Sequence, residues 1–180
     1  MKVLKYFLLL FLGLILVFLG IGFANPSIHY GHEITVNKPL AEAWFVAQDK
    51  AKFSQWLEGF NSIELISGKQ GDVGSRYKII VTPKSGETPF EMIETIISKK
   101  ELDHVSMHFD NEMMNFNQII SFSENNGKVN IKTASTITAK GIFIQSIFAT
   151  MEMIGGAFQK QEAKNIEALK RVINENTSTY

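Results

Sequence analysis

The chain contains no cysteine. That single absence excludes a disulfide framework, a thiolate zinc site, an iron–sulfur cluster and a cysteine nucleophile, and it leaves the redox compartment unreadable. Proline is scarce at 4 residues and glycine ordinary at 13, so neither disorder nor a collagen-like repeat fits. An excess of one charge is also lacking, since 18 basic residues meet 18 acidic ones. With Lys2 and Lys5 at the extreme N-terminus set aside, the remainder carries 16 positive and 18 negative charges. A nucleic-acid partner is not expected, because it would need a clustered basic excess. There is no H-E-x-x-H, no G-x-S-x-G, no G-x-G-x-x-G after a strand and no phosphate loop. Metal, serine-hydrolase and nucleotide chemistry are therefore unsupported, and no metal or cofactor is expected. What the 180 residues do have is 45% hydrophobic content and 14 Phe, enough for one sizeable core.

From Tyr6 to Ala24 the chain carries no charge over 19 residues. As a helix rising 1.5 Å per residue this run is about 28 Å long, against a hydrocarbon core of about 30 Å. Lys2 and Lys5 precede it and no charge follows until Glu33. The positive-inside rule then puts the N-terminus in the cytoplasm and the rest of the chain on the periplasmic or extracellular side, as a single-pass membrane protein held through residues 6–24. The alternative is a cleaved signal, because Gly22-Phe23-Ala24 offers the small residues a signal peptidase reads. A lipoprotein anchor is excluded by the missing cysteine. Gly13, Gly20 and Gly22 include no G-x-x-x-G pair that would favour helix dimerisation. The expected organisation is an anchor or uncleaved signal at residues 1–24, a domain at 25–176 and a polar tail at 177–180.

Residues 28–36 alternate with period two and predict a strand with one buried face. Asn37-Lys38-Pro39 stops it, and Pro39 suits the first turn of a helix through Ala41–Ala47. Phe53, Trp56 and Leu57 share one side of a second short helix. Further strands are expected at 62–67, 75–82, 90–99, 104–109, 114–123 and 128–138, for a mostly antiparallel set of about seven. The stretch Gly68–Gly74 tolerates positive φ, a turn is expected around Pro83–Glu87, and Asn126-Gly127 is the strongest hairpin signal. In β-like stretches 75–82 and 114–123 the inward sets read Tyr77, Ile79, Val81 and Phe116, Gln118, Ile120, Phe122.

From Ile142 to Asn174 the period becomes 3.6. Ile144, Ile147, Phe148, Met151, Ile154, Phe158, Ile166, Leu169 and Ile173 form one stripe, with Glu162 among the charged residues off it. This predicts one long helix, either kinked or closely approached at Gly155-Gly156. An antiparallel sheet followed by one long amphipathic helix packs by curling the sheet around the helix, an α+β architecture.

The order of these pieces resembles a known family. Ile34-Thr35-Val36-Asn37-Lys38-Pro39 followed by Ala43-Trp44, then Trp56, then Gly71-Asp72-Val73-Gly74-Ser75-Arg76-Tyr77 and the terminal helix are similar to the START-like (SRPBCC) superfamily, in its polyketide cyclase and dehydrase-like branch. The resemblance covers residues 28–174 and implies a helix-grip fold: a curved antiparallel sheet of about seven strands around the C-terminal helix, here preceded by one transmembrane helix. It also implies a cavity between sheet and helix for a hydrophobic or amphipathic small molecule such as a lipid, a quinone or a polyketide-like compound. It does not imply one chemistry, since relatives bind lipids, cyclise or dehydrate polyketides, or serve in stress response.

On that frame the expected ligand-contacting residues are Tyr77, Ile79, Gln118, Ile120, Thr133, Ser135, Met151, Ile154 and Phe158. Gln118, Thr133 and Ser135 either point into the lumen or bond to backbone or water near the sheet edge. Glu94 lies between Met92 and Ile96, but Thr95 sits equally well between Ile93 and Ile97, so the inward face of that strand is open. An inward Glu94 would be held neutral by burial and, with Tyr77, is a candidate catalytic group; Gln118 would help polarise a carbonyl. Arg76 is either a solvated strand residue or an anion clamp. His29 and His32 fall on opposite faces of a strand, and His104 and His108 stand about 13 Å apart, too far to share an ion. Trp44, Phe53 and Trp56 read as packing residues. Asn176-Thr177-Ser178 matches a glycosylation sequon, and Asp110–Asn115 either gates the cavity or turns the chain. Three functions remain open. The chain binds a ligand without transforming it, it is a cyclase- or dehydrase-type enzyme, or it is an interaction module whose cavity is filled by Phe and Met. With no convergent catalytic set, the reading leans away from an enzyme.

Overall fold

A computed structural model of the chain describes residues 2–82 and 88–177. The turn expected at Pro83–Glu87, the last residue of the sequon and the tail beyond Thr177 lie outside the described residues. Helix α1 is Lys2–Ala24, followed by strands β1 (Ile28–Tyr30) and β2 (Glu33–Val36), then helix α2 (Leu40–Gln48), a 3-10 turn at Lys50–Lys52 and helix α3 (Phe53–Trp56). Strands β3 (Phe60–Ser67), β4 (Arg76–Val81), β5 (Phe90–Lys100), β6 (His104–Asp110), β7 (Met114–Asn125) and β8 (Lys128–Ala139) come next, and helices α4 (Ile142–Gly155) and α5 (Ala157–Glu175) close the chain. The strands form one open antiparallel sheet in the order β1-β8-β7-β6-β5-β4-β3, with β2 also on β8. This is an α+β helix-grip architecture, as expected.

Asn126 and Gly127 have φ of 51° and 72° and join β7 to β8 in the register Asn125 to Lys128, the tight hairpin that the Asn-Gly pair predicts. The expected single first strand is two. A Cβ on Gly31 would lie 2.2 Å from the Thr133 carbonyl oxygen, so the backbone passes too close to β8 for any side chain there. Around this corner the Thr133 hydroxyl accepts from the His32 N–H at 3.0 Å.

The expected single long helix is also two. Gly156 has φ 57° and ψ 45°, a left-handed residue that ends α4, and its N–H bonds the Glu152 carbonyl at 2.7 Å. Of the two alternatives read from Gly155-Gly156, a close approach is excluded, because nothing lies within 4 Å of a Cβ at either position. The glycine serves the bend. Replacing Gly156 with Ala is expected to cost about 1–2 kcal/mol by forcing an L side chain into that conformation, read as a lower denaturant midpoint in detergent-solubilised protein.

Helix α5 buries Glu162, Ile166, Leu169, Val172 and Ile173. Ile166, Leu169, Val172 and Ile173 close over Ile34, Val36, Ile120, Phe122, Val129 and Ile131 of the sheet, with Trp44 of α2 packed edge-on to Phe122 at 5.1 Å. Helix α1 is the opposite case. It is exposed through Leu12 and buries only Gly22, and it is long and apolar enough to be a membrane span or a signal sequence.

Candidate functional site

A cavity of about 470 Å³ lies between the sheet and α5. Period-two alternation supplies most of the wall: Tyr77 and Ile79 from β4, Met92, Glu94 and Ile96 from β5, Val105, Met107 and Phe109 from β6, and Phe116, Gln118 and Ile120 from β7. Phe158, Glu162 and Ile166 of α5 face them, and Phe53 and Trp56 of α3 close one end. The volume is within the range of small-molecule sites, so the Phe and Met side chains do not fill it. The interaction module with a filled core loses its premise.

The strand left open in the sequence points Met92, Glu94 and Ile96 inward. Glu94 is buried, stands in register with Tyr77 on one side and Phe109 on the other, and has no hydrogen-bond partner among the described residues. Burial pushes its carboxyl up to about 7, against the opposing pull of the Lys50 ammonium. That ammonium sits over the Tyr77 ring, 3.5 Å from its centroid. The Tyr77 hydroxyl accepts from the Gly71 N–H at 2.6 Å, so the glycine-rich turn orients the phenol and leaves its own proton available.

A second carboxylate faces the cavity from the helix. Glu162 Oε1 accepts from Gln118 Nε2 at 3.0 Å and from the Ser135 hydroxyl at 3.4 Å. Burial raises its pKa and these hydrogen bonds oppose the rise. The phenol of Tyr30, also on the wall, is held protonated by burial and by the nearby Glu162 and Glu152. The indole N–H of Trp56 has no acceptor among the described residues.

Of the expected ligand-contacting residues, Tyr77, Ile79, Gln118, Ile120 and Phe158 are on the wall. Thr133 and Ser135 are buried but one layer behind it, Thr133 bonded to the His32 backbone and Ser135 to Glu162. Met151 and Ile154 are corrected outright, since both are exposed on α4, away from the cavity. The left-handed Gly156 breaks the phase of the apolar stripe, which turns Met151 and Ile154 away; Glu162 lies four residues from both Phe158 and Ile166 and shares their face, and only its charge set it apart from the stripe. Counted from Ala157 alone, Phe158, Glu162, Ile166, Leu169 and Ile173 fall on one face of α5. Arg76 is an exposed strand residue and is not on the wall. Asp110–Asn115 is a tight turn, in which the Asn111 side chain accepts from the Met113 and Met114 N–H groups at 2.8 and 2.9 Å.

No known family profile matches the chain, and no curated protein does either. Solved structures do match. A protein from Thermus thermophilus is 10% identical over 84% of this chain and 100% of its own, with a TM-score of 0.64. Norcoclaurine synthase from Thalictrum flavum, solved in complex with dopamine and hydroxybenzaldehyde, is 18% identical over 85% of this chain and 90% of its own, with a TM-score of 0.59. The di-domain ARO/CYC BexL is 9% identical over 85% of this chain and 52% of its own, with a TM-score of 0.60. At these identities the likeness is one of fold, and the chain has the START-like (SRPBCC) helix-grip fold with an apolar helix ahead of it.

Proposed function

We propose that the protein is a membrane-tethered, exported domain that binds a hydrophobic or amphipathic small molecule in the cavity between the sheet and α5. One observation carries this reading: an unfilled cavity of about 470 Å³ whose wall is mainly apolar, with Glu94 and Glu162 among its polar groups. Residues 1–24 serve as the anchor, with the N-terminus cytoplasmic, and residues 25–176 as the ligand domain. Glu94 narrows the ligand to one that brings a hydrogen-bonding group into an apolar site, because a buried carboxyl without a partner is costly. A hydroxylated lipid, a reduced quinone or a phenolic polyketide-like compound meets that requirement.

The test is native mass spectrometry of the full chain extracted from its own membranes, with identification of bound molecules, alongside titration with a fluorescent fatty acid. A stoichiometric apolar molecule, displaced by the probe, is the expected result. An empty protein that also leaves the probe unbound would overturn the reading.

A second reading has its own observation. Glu94, with its pKa near neutrality, is the register partner of Tyr77, whose hydroxyl proton is free. That pair is suited to cyclase or dehydrase chemistry, Glu94 moving a proton and Tyr77 polarising a carbonyl. Turnover of the identified ligand, lost in both Glu94→Gln and Tyr77→Phe, would establish it. Binding without turnover leaves the carrier.

A further inference from the structure

Helix α4 is amphipathic in the wrong sense for water. Its buried residues are Gln145, Ser146 and Ala149. Gln145 is held by hydrogen bonds to the Ala139 N–H at 2.9 Å and the Asn25 carbonyl at 2.5 Å, and Ser146 donates to the Ile142 carbonyl at 2.8 Å. The opposite face, at spacings of four, four and three, is Phe143, Ile147, Met151 and Ile154, with exposures of 63%, 36%, 48% and 79%. The only ionisable side chain on the helix is Glu152, and its carboxylate is turned inward to accept from the Phe158 N–H at 2.8 Å. A surface helix in water presents the reverse pattern, and an apolar face this continuous marks an interaction surface.

The location of α4 says what covers that face. Gly22 of α1 meets Ser146 so closely that a Cβ there would be 2.7 Å from the Ser146 backbone nitrogen. Phe18 packs edge-on to Phe143 at 5.7 Å. Helix α4 is thus fixed to the last two turns of the apolar helix. Phe18 precedes Ala24 by six residues, about 9 Å along the axis, which matches the 5–10 Å depth at which interfacial helices lie.

We propose that the Phe143–Ile147–Met151–Ile154 face of α4 is embedded in the acyl-chain region of the bilayer that α1 crosses. The proposal rests on α1 being a membrane anchor. It gives the bend at Gly156 a purpose, since a straight continuation of α5 would not leave α4 free to lie on lipid beside α1. It also places the bilayer next to the cavity, because Phe148 of α4 packs edge-on to Phe158 at 5.3 Å and Phe158 is part of the cavity wall. An apolar ligand would then pass between membrane and cavity at the Tyr30–Phe158 end without crossing water.

The absence of native cysteine allows a clean test on the full chain. Single variants Ile147→Cys, Met151→Cys and Ile154→Cys on α4, Leu12→Cys on α1 and Ser123→Cys on β7 are labelled with an environment-sensitive fluorophore. Each is reconstituted into phosphatidylcholine–phosphatidylglycerol vesicles containing lipids with a nitroxide on the acyl chain. The expected result is a loss of emission at the three α4 positions comparable to that at Leu12→Cys, with a blue shift, and none at Ser123→Cys. Quenching at Leu12→Cys alone would overturn the proposal and leave the anchor standing. Quenching at neither helix would overturn both. Energy transfer between labelled copies at Ile154→Cys, without lipid quenching, would make the face a self-association surface and overturn the proposal.

Discussion

Raising the pH through neutrality is expected to weaken the folded domain, and Glu94→Gln is expected to remove most of that loss. The Glu94 carboxyl has a pKa of about 7 when folded and an ordinary value of 4.5. Between those values the folded state holds a proton that the unfolded chain has released, so unfolding free energy falls as pH rises. The contribution is intact below about pH 4.5 and is lost by the time pH has passed about 7. A rise of that size corresponds to about 3 kcal/mol as an upper bound, at about 1.4 kcal/mol per pKa unit. Several groups bear on the carboxyl. Tyr77 and Phe109 flank it in register, the Lys50 ammonium pulls its pKa down, and Glu162, raised by its own burial, shares the cavity. Glu162 will leave a residual slope of the same sign in Glu94→Gln. Denaturant midpoints of the two proteins across this range check the prediction; parallel curves would mean that Glu94 is ionised throughout. The same titration tells ligand classes apart, since a ligand that only accepts hydrogen bonds loses affinity once the carboxyl has no proton to donate, and a cationic amine gains it.

Trp44→Ala is expected to cost about 3–5 kcal/mol, a large part of the 5–15 kcal/mol that holds a typical domain. The indole is 2% exposed and belongs to the core where α2 meets β7, β8 and α5. Its edge-on contact with Phe122 would be replaced by a void, because the backbone around it is tied down by the sheet on one side and by α5 on the other. Trp44 is not on the cavity wall, whereas Ala47 and Gln48 of the same helix are. Loss of stability should therefore come before loss of specificity: at low denaturant Trp44→Ala should bind the fluorescent fatty acid with unchanged preference among chain lengths. Thermal and denaturant unfolding measure the first effect, and competition binding measures the second. Selective loss of ligand preference with little change in stability would show that the indole shapes the site.

Alternation with period two is a local property, so the strands from Phe60 onward, the inward set Tyr77 and Ile79, and the Asn126-Gly127 hairpin are legible from the residues. The same is true of the apolar N-terminal helix and of the single core. Where the sequence offered two equal faces, at Glu94 and Thr95, only the register with β4 and β6 chose between them. Where a stripe had to be carried across Gly155-Gly156, the phase was broken by a left-handed residue. That break moved Met151 and Ile154 out of the cavity.

The corner at Gly31 has the same origin, being imposed by a Thr133 carbonyl about a hundred residues away. Composition and periodicity depend on neighbours in the chain, and they suffice for element type and fold class. Which carboxyl faces the cavity, which hydroxyl is tied to backbone, and which apolar face is left uncovered depend on contacts between distant segments. Those contacts exist only once the sheet has closed over α5 and α4 has turned away onto α1.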